Sequence, residues 1–161
     1  MRYLADSRGT PDNWYPKDLK KRAQVDMYLD QHHGYLRAGI GGYIFKLLFS
    51  PTMTGITFKE SELSYEKTMQ KRSLRLIEAR LVATRYLCSD EVSIADLSAA
   101  CELDQSKFIG LDLDPYPKTK AWLYHMIDDN PTLLEIHGPM RQFAAMALAK
   151  AKKEAAAAPK L

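Results

Sequence analysis

Two pairs of metal-binding side chains stand close together in this sequence, and neither pair has the spacing of a metal site. His32 and His33 are neighbours, so on a helix they point about 100° apart, and no cluster at zinc spacing supplies further ligands. Asp112 and Asp114 lack the glycine and the distant glutamate of a calcium loop. We therefore expect surface or packing histidines, a solvated acidic loop and no bound metal.

Ser93 and Asp96 are residue types of a catalytic triad, but their spacing is that of a helix cap. A serine followed three residues later by an acidic residue forms a capping box, and no histidine lies in a nearby motif. Cys88 and Cys101 lie outside any CxxC motif, so we interpret both as small buried apolar residues. The sequence therefore predicts a structural capping box and no catalytic residue.

A long helix is predicted to precede these residues. Apolar side chains recur mainly at three- and four-residue steps from Lys17 to Phe49, and Pro51 with Gly55 is expected to end the helix. Gly39, Gly41 and Gly42 lie inside it. Because glycine destabilises a helix interior, the glycines predict a bend or a close neighbouring backbone.

Five further helices follow from the same pattern of periodicity and breakers. They are predicted over residues 61–87, from Ser93 onward, over 117–128, over 131–138 and over 140–157. The short helix is expected to end at Gly138 and Pro139, and residues 107–117 are too rich in Gly and Pro for regular structure. No alternating strand pattern occurs, so the predicted fold class is all-α.

Composition excludes several classes of function. The 23 Lys and Arg residues against 20 Asp and Glu are interspersed and give no extended basic face, so we expect no nucleic-acid binding. The longest apolar run, residues 43–49, contains Lys46 and is too short for a transmembrane segment. Two cysteines cannot form a disulfide framework, and no secretory signal is recognisable, so a cytoplasmic location is expected, with an organelle matrix or a large intracellular assembly as alternatives.

Three stretches together resemble one protein family. Residues 14–19 (WYPKDL), continuing through RAQVD at 22–26 and Tyr28-Leu29, are similar to the start of the helix that opens the C-terminal domain of glutathione transferases. Gln31-His32 to Arg37 is close to the theta-class version, and VSIADL at 92–97 resembles the N-capping box of those enzymes. The resemblance covers residues 1 to 143 and implies an all-α helical bundle of that C-terminal domain type.

The resemblance also implies a domain organisation. Residues 1–16 are similar to the end of the last helix of a thioredoxin-like N-terminal domain and its linker, 17–143 to the C-terminal helical domain, and 144–161 form an Ala/Lys-rich helical tail. In the family the thioredoxin-like domain holds glutathione and the catalytic serine, and we expect it to be lacking here. No cofactor is then expected, and glutathione only if that domain is supplied.

One site is implied for the helical part. In theta-class relatives an arginine at the place matching Arg37 borders the active-site cleft, and Leu36 and Ile40 would line an apolar electrophile pocket beside it. This sequence departs from those relatives nearby, since it has Gly34 where they have an acidic or polar residue. The alternative is that Arg37 lies simply on the helix surface.

The expected function follows from the absence of a thiol-activating group. A helical module without one would act by contact, as a non-catalytic interaction or scaffold subunit of a larger assembly, with a protein partner or as a homodimer. The alternative is a truncated or fragmentary theta-like glutathione transferase that conjugates glutathione to electrophiles. The basic tail is expected either to contact a partner or an anionic surface, or to extend as a frayed helix.

Overall fold

The chain folds into helices joined by turns over residues 1–157, the part that a computed structural model describes, with side chains described to Met146 and at Ala149. No strand occurs within that range, which confirms the all-α class. The helical segments are α1 (Arg2–Ser7), α2 (Leu19–His32), π1 (His33–Gly41), α3 (Gly42–Ile44), π2 (Phe45–Phe49), α4 (Ser50–Met53), α5 (Ser64–Ala83), α6 (Ile94–Asp104), α7 (Pro117–Ile127) and α8 (Pro131–Ala157). Turns of 3₁₀ helix lie at Asp12–Trp14, Glu60–Leu63 and Gln105–Ile109.

Segments α2 to α4 form the predicted long helix. It differs from the prediction in containing π-helical segments and in ending later. The Asp18 side chain caps its start by accepting a hydrogen bond from the Lys21 amide at 2.9 Å. The helix widens to π geometry in π1 and π2, and it continues past Pro51 to Met53 because Pro51 occupies the first turn of α4, where no amide donor is needed. The helix therefore ends at Met53, four residues beyond Phe49 and between the two predicted breakers, and the chain turns at Gly55, whose φ is +73°.

The expected close backbone neighbour is found at Gly39. A Cβ atom there would lie 2.5 Å from the backbone nitrogen of Gln70, so only glycine lets π1 approach α5 this closely. The Gln70 side chain fixes the contact by donating from Nε2 to the Gly39 carbonyl at 3.0 Å. Segment π1 packs mainly on α5 and also contacts α2 and α6.

Helix α5 ends earlier than predicted. Thr84 is extended, with φ −138° and ψ 159°, and its Oγ1 donates to the Tyr86 carbonyl at 2.6 Å, while Arg80 donates to the Leu87 carbonyl at 3.2 Å. These side-chain bonds replace helical ones, so the predicted helix over 61–87 was too long at both ends. Helix α6 carries the predicted cap and lies at the centre of the bundle.

Helix α8 is one helix where two were predicted. Pro139 lies inside it and leaves the carbonyl of Glu135 without its helical donor, but Glu135 is exposed to water. His137 and Arg141, on either side of Pro139, both bind the buried carboxylate of Asp104. That shared anchor explains why the chain passes Gly138 and Pro139 without a break.

The core runs through α2, π1 and α5 to α7. Among its most buried apolar side chains are Val25, Leu36, Ile40, Ile77, Leu87, Ala95, Ala99, Leu103 and Ile127. Helix α1 contributes the buried Ala5 to this core, and Arg2 of α1 binds Asp26 at 2.7 Å and Asp30 at 3.0 Å. Of the described helices, none is long and apolar enough to cross a membrane. The backbone of the tail is helical to Ala157, whereas the side chains of its lysines lie outside the described residues.

Candidate functional site

Arg37 is held at the surface of π1 by a carboxylate from α6. Its Nη2 lies 2.9 Å from Oε2 of Glu102, while 59% of the Arg37 side chain remains exposed. Glu102 itself is 3% exposed. A guanidinium has five N–H donors in a planar fork, so a pair made through one nitrogen leaves donors free for an anionic ligand.

The carboxylate of Glu102 occupies a space that Gly41 leaves open. A Cβ atom at residue 41 would lie 2.5 Å from Oε1 of Glu102. Nε2 of the buried His32 lies 3.7 Å from Oε2 of the same carboxylate, and Nδ1 of His32 is buried without a hydrogen-bond partner. The site therefore joins residues of α2, π1 and α6.

The other two pocket candidates lie in the core. Leu36 is 1% exposed and Ile40 is 0% exposed, because both face inward from the long helix. Of the three candidates, only Arg37 reaches the surface. Its part in an electrophile pocket stays a prediction.

One face of α6 near Glu102 is only half buried. Leu97, Ser98, Cys101 and Gln105 recur at the spacing of a single helix face. Glu102 is on the adjoining face, which packs on π1. Arg37 reaches α6 through its contact with Glu102.

Ser93 and Asp96 form both bonds of a capping box. The Ser93 Oγ accepts from the Ala95 amide at 3.2 Å, and Asp96 Oδ2 accepts from the Ser93 amide at 3.0 Å. Asp96 also accepts from the Leu87 amide at 2.9 Å and from Nε1 of Trp122 at 3.2 Å. Burial raises the pKa of the Asp96 carboxyl, although these donors oppose the change. All of its observed contacts are structural.

The cysteines are poor nucleophiles. Burial, followed by the charge of Asp96, raises the pKa of the Cys88 thiol to about 12. Burial, followed by the charges of Asp104 and Glu102, also raises the pKa of Cys101. Both groups are therefore thiols at neutral pH, and neither supplies a thiolate for attack on an electrophile.

The side chains that raised the question of a metal site do not converge. Among the described side chains, no group of three or more His, Cys, Asp or Glu residues is placed to hold a metal ion. Asp112 accepts from the Asp114 amide at 2.9 Å, in an exposed turn. His32 is buried in the packing of α2, and His33 is exposed beside it.

Sequence reasoning missed Glu102, and it named Gly41 only as a place for a bend or a close backbone neighbour, not as the residue that leaves space for the Glu102 carboxylate. The available signal was a glutamate next to an apolar run, AACEL at 99–103, in the helix that begins at the predicted cap. A second missed cluster surrounds Asp104, which is fully buried and binds Lys107, His137 and Arg141. Its partners come from positions 3 to 37 residues away, and no local motif joins them.

Comparison with known proteins places these features in a family context. The family model described as "Glutathione S-transferase, C-terminal domain" matches residues 40–130. Over 122 residues the chain is 35% identical to glutathione S-transferase theta-1 of Gallus gallus, which covers 74% of this chain and 47% of that protein. Over 120 residues it is 37% identical to glutathione S-transferase T1 of Arabidopsis thaliana, with coverages of 70% and 49%. The chain thus spans about half the length of these relatives.

A solved structure shows the same fold. The human theta-class glutathione transferase in complex with the glutathione conjugate of 1-menaphthyl sulfate superimposes with a TM-score of 0.79 and 27% identity. The match covers 93% of this chain and 63% of the human one. These similarities overturn the expectation of a non-catalytic scaffold subunit, which was wrong. In the matched proteins this helical fold is part of a transferase, and nothing in the comparisons favours a scaffold.

Proposed function

The chain belongs to the glutathione S-transferase C-terminal domain family, and from this premise we propose that it serves as the helical domain of a theta-class glutathione transferase. Its function is then the conjugation of glutathione to an electrophile. The observation that carries the proposal is the likeness, over 93% of the chain, to a theta-class enzyme that holds a glutathione conjugate. The theta-class relatives from chicken and Arabidopsis support the same class.

The two halves of such an enzyme have separate tasks. The thiolate sulfur of glutathione forms a bond to the electrophilic carbon, and the leaving group departs with the electron pair of the broken bond. The raised pKa values of Cys88 and Cys101 argue against either thiol as the attacking group or as its activator. We assign thiolate activation to a thioredoxin-like domain, as the family resemblance implies, and the electrophile side to residues 17–143.

Arg37 is the residue that we assign to the electrophile side. Its exposed guanidinium is anchored at one nitrogen and keeps donors that suit a carboxylate or sulfate. Such a contact binds an anionic group of the electrophile equally in the ground state and in the transition state, so it lowers KM for anionic electrophiles. Leu36 and Ile40 support π1 from the core beneath Arg37.

The proposal is tested by joining the thioredoxin-like domain of a theta-class relative to this chain. The joined protein is expected to conjugate glutathione to 1-menaphthyl sulfate above the solution background, measured as released sulfate. The 161-residue chain alone and the thioredoxin-like domain alone are the controls and should stay at background. A joined protein that is folded and retained on glutathione-agarose, yet releases no sulfate, would contradict the proposal.

The assembly and the location of the protein are part of the same proposal. We propose a homodimer in the cytoplasm, as for a typical enzyme of this family. Native mass measurement of the joined protein at micromolar concentration should give twice the chain mass. A monomer under those conditions would contradict the proposed homodimer. The proposed conjugation reaction would still be decided by the sulfate-release assay.

A further inference from the structure

Glu102 is a buried carboxylate whose observed ion-pair contacts lie on the long helix. Its side chain is 3% exposed, and Oε2 lies 2.9 Å from Nη2 of Arg37 and 3.7 Å from Nε2 of His32. Burying a carboxylate is costly unless a cation and hydrogen-bond donors compensate, and such pairs seldom stabilise a fold more than apolar side chains would. The arrangement is better explained by what it does to Arg37 than by stability.

Arg37 needs such a support. An exposed arginine samples many rotamers, and binding a ligand through it requires this freedom to be lost. The contact with Glu102 places one guanidinium nitrogen against a buried carboxylate while most of the Arg37 side chain still faces solvent. A guanidinium held by that contact would have lost part of its rotamer freedom before a ligand arrives.

Gly41 makes the support possible. A Cβ atom at residue 41 would lie 2.5 Å from Oε1 of Glu102 and 3.8 Å from Cγ of Arg37. A Cβ atom at the adjacent Gly42 would meet its nearest neighbour, Cγ of Glu66, at an ordinary 3.7 Å. The two neighbouring glycines therefore differ in one respect, since only residue 41 must be glycine for the Glu102 carboxylate to stay in place.

We propose that Glu102, in the space left by Gly41, is a positioning residue that holds the guanidinium of Arg37 ready for an anionic group of the electrophile. The proposal rests on the function assigned above to Arg37. It adds that the binding of anionic electrophiles depends on Glu102, which lies 65 positions from Arg37 in the sequence and does not itself contact the electrophile. The binding of neutral electrophiles does not depend on Glu102.

The first test needs no enzyme activity. In the full 161-residue chain, ¹⁵N relaxation of the Arg37 Nε–H group should report a restrained guanidinium. Glu102→Gln and Gly41→Ala are expected to release it, whereas Gly42→Ala, which gains the same helix propensity, should leave it restrained. Because the atom facing Gly41 is the end of a flexible side chain, Gly41→Ala can displace the carboxylate without unfolding the protein, and circular dichroism checks this. A guanidinium equally restrained in Glu102→Gln would overturn the proposal.

The second test uses the enzyme formed with the thioredoxin-like domain. Glu102→Gln should raise KM for 1-menaphthyl sulfate about tenfold, as for the loss of one charge-assisted contact, with kcat within about twofold. KM for a neutral chloronitrobenzene should not change, and Glu102→Gln should add nothing in an Arg37→Ala background. An equal rise of KM for both electrophiles would indicate a general structural role and overturn the proposal. If the unmodified enzyme is inactive, the proposed function fails, and the relaxation experiment still decides whether Glu102 positions Arg37.

Discussion

Asp104 of α6 and Arg141 of α8 form a bidentate ion pair in the interior of the bundle. Arg141 donates from Nε to Oδ2 at 2.9 Å and from Nη2 to Oδ1 at 2.8 Å. Lys107 and Nδ1 of His137, the latter at 2.9 Å, bind the same carboxylate, and Arg141 reaches on to Asp128 at 2.6 Å. One buried carboxylate thus joins the last helix to the centre of the fold.

Replacement of this carboxylate should be among the more damaging single changes. Asp104→Asn leaves the half-buried Arg141 and the buried His137 without their anionic partner, and we expect a loss of about 3 kcal/mol in the free energy of unfolding. Urea denaturation followed by circular dichroism measures it. Asp114→Asn removes an exposed carboxylate paired with Lys120 and is the matched control, with an expected change below about 0.5 kcal/mol. Similar losses for both variants would disprove the special role of Asp104.

The same cluster predicts how stability depends on pH. Burial alone would raise the pKa of Asp104, but the bonds from Arg141, Lys107 and His137 lower it to about 2. Since the pKa is lower in the folded state than in the unfolded chain, the contribution is fully present above about pH 5 and is lost as the pH falls through 4 towards 2. It amounts to about 2 kcal/mol.

Urea titrations at pH 5, 4, 3 and 2 check this prediction. The wild-type chain should lose stability over that range more steeply than Asp104→Asn, and the two curves should converge at the acid end. The pKa of Asp128 is also lowered, chiefly by its bond to Arg141, so part of the acid dependence should remain in the variant. Parallel curves would contradict the assignment.

Periodicity and breakers were enough to predict the helices, but not the contacts that shape their ends. The sequence predicted the cap at Ser93 and a bend or a close backbone neighbour among Gly39, Gly41 and Gly42, because both follow from local backbone chemistry, but it did not single out Gly39. It misjudged Pro139, where the anchor comes from Asp104, 35 residues away. The π geometry of π1 also has no signature in a 3.6-residue pattern, since it inserts a residue without changing residue types.

The candidate site shows the same limit. Arg37 was singled out only through resemblance to a family, and Leu36 and Ile40 were placed beside it by proximity in sequence. A helix period puts residues 36 and 40 on one face and residue 37 about 100° away, which is the arrangement observed. Glu102 was not predicted because its pairing with Arg37 depends on how α6 crosses π1.

Gly39 and Gly34 offer a direct comparison within π1. A Cβ atom at residue 39 would lie 2.5 Å from the backbone nitrogen of Gln70, and backbone atoms cannot move aside cheaply. We expect Gly39→Ala to cost about 2 kcal/mol or more in unfolding free energy. At Gly34 a Cβ atom would meet nothing within 4 Å, so Gly34→Ala should stabilise the chain by about 0.5 to 1 kcal/mol. Equal effects of the two alanines in urea denaturation would refute the close packing of π1 on α5.

The two residues of the capping box should differ in their contribution to stability, because Ser93 makes a local cap bond and Asp96 accepts several buried hydrogen bonds. Ser93→Ala removes one cap acceptor and should cost about 1 kcal/mol. In Asp96→Asn one carboxylate oxygen becomes an NH2 group, which must face either the Ser93 amide or the donors of Leu87 and Trp122, so a buried donor would meet a donor and the expected cost is about 3 kcal/mol. The midpoint temperature of thermal unfolding should be clearly lower for Asp96→Asn than for Ser93→Ala. The reverse order would show that the serine, not the aspartate, organises this end of α6.

The two cysteines offer a test of whether the attacking sulfur in the proposed enzyme belongs to glutathione and not to this chain. Because burial raises the pKa of the Cys88 thiol to about 12, Cys88 should react at least about a hundredfold more slowly with Ellman's reagent at pH 8 in the folded chain than in urea, and Cys101, whose pKa is also raised by burial, should be slowed as well. In the enzyme formed with a thioredoxin-like domain, replacement of both by alanine should leave kcat/KM for conjugation within about twofold, since the attacking sulfur belongs to glutathione. A large fall in kcat with unchanged stability would mean that a thiol of this chain takes part in the chemistry. That result would require a nucleophile inside the helical domain, and Cys101, on the half-buried face of α6 next to Glu102, would be the first residue to replace singly.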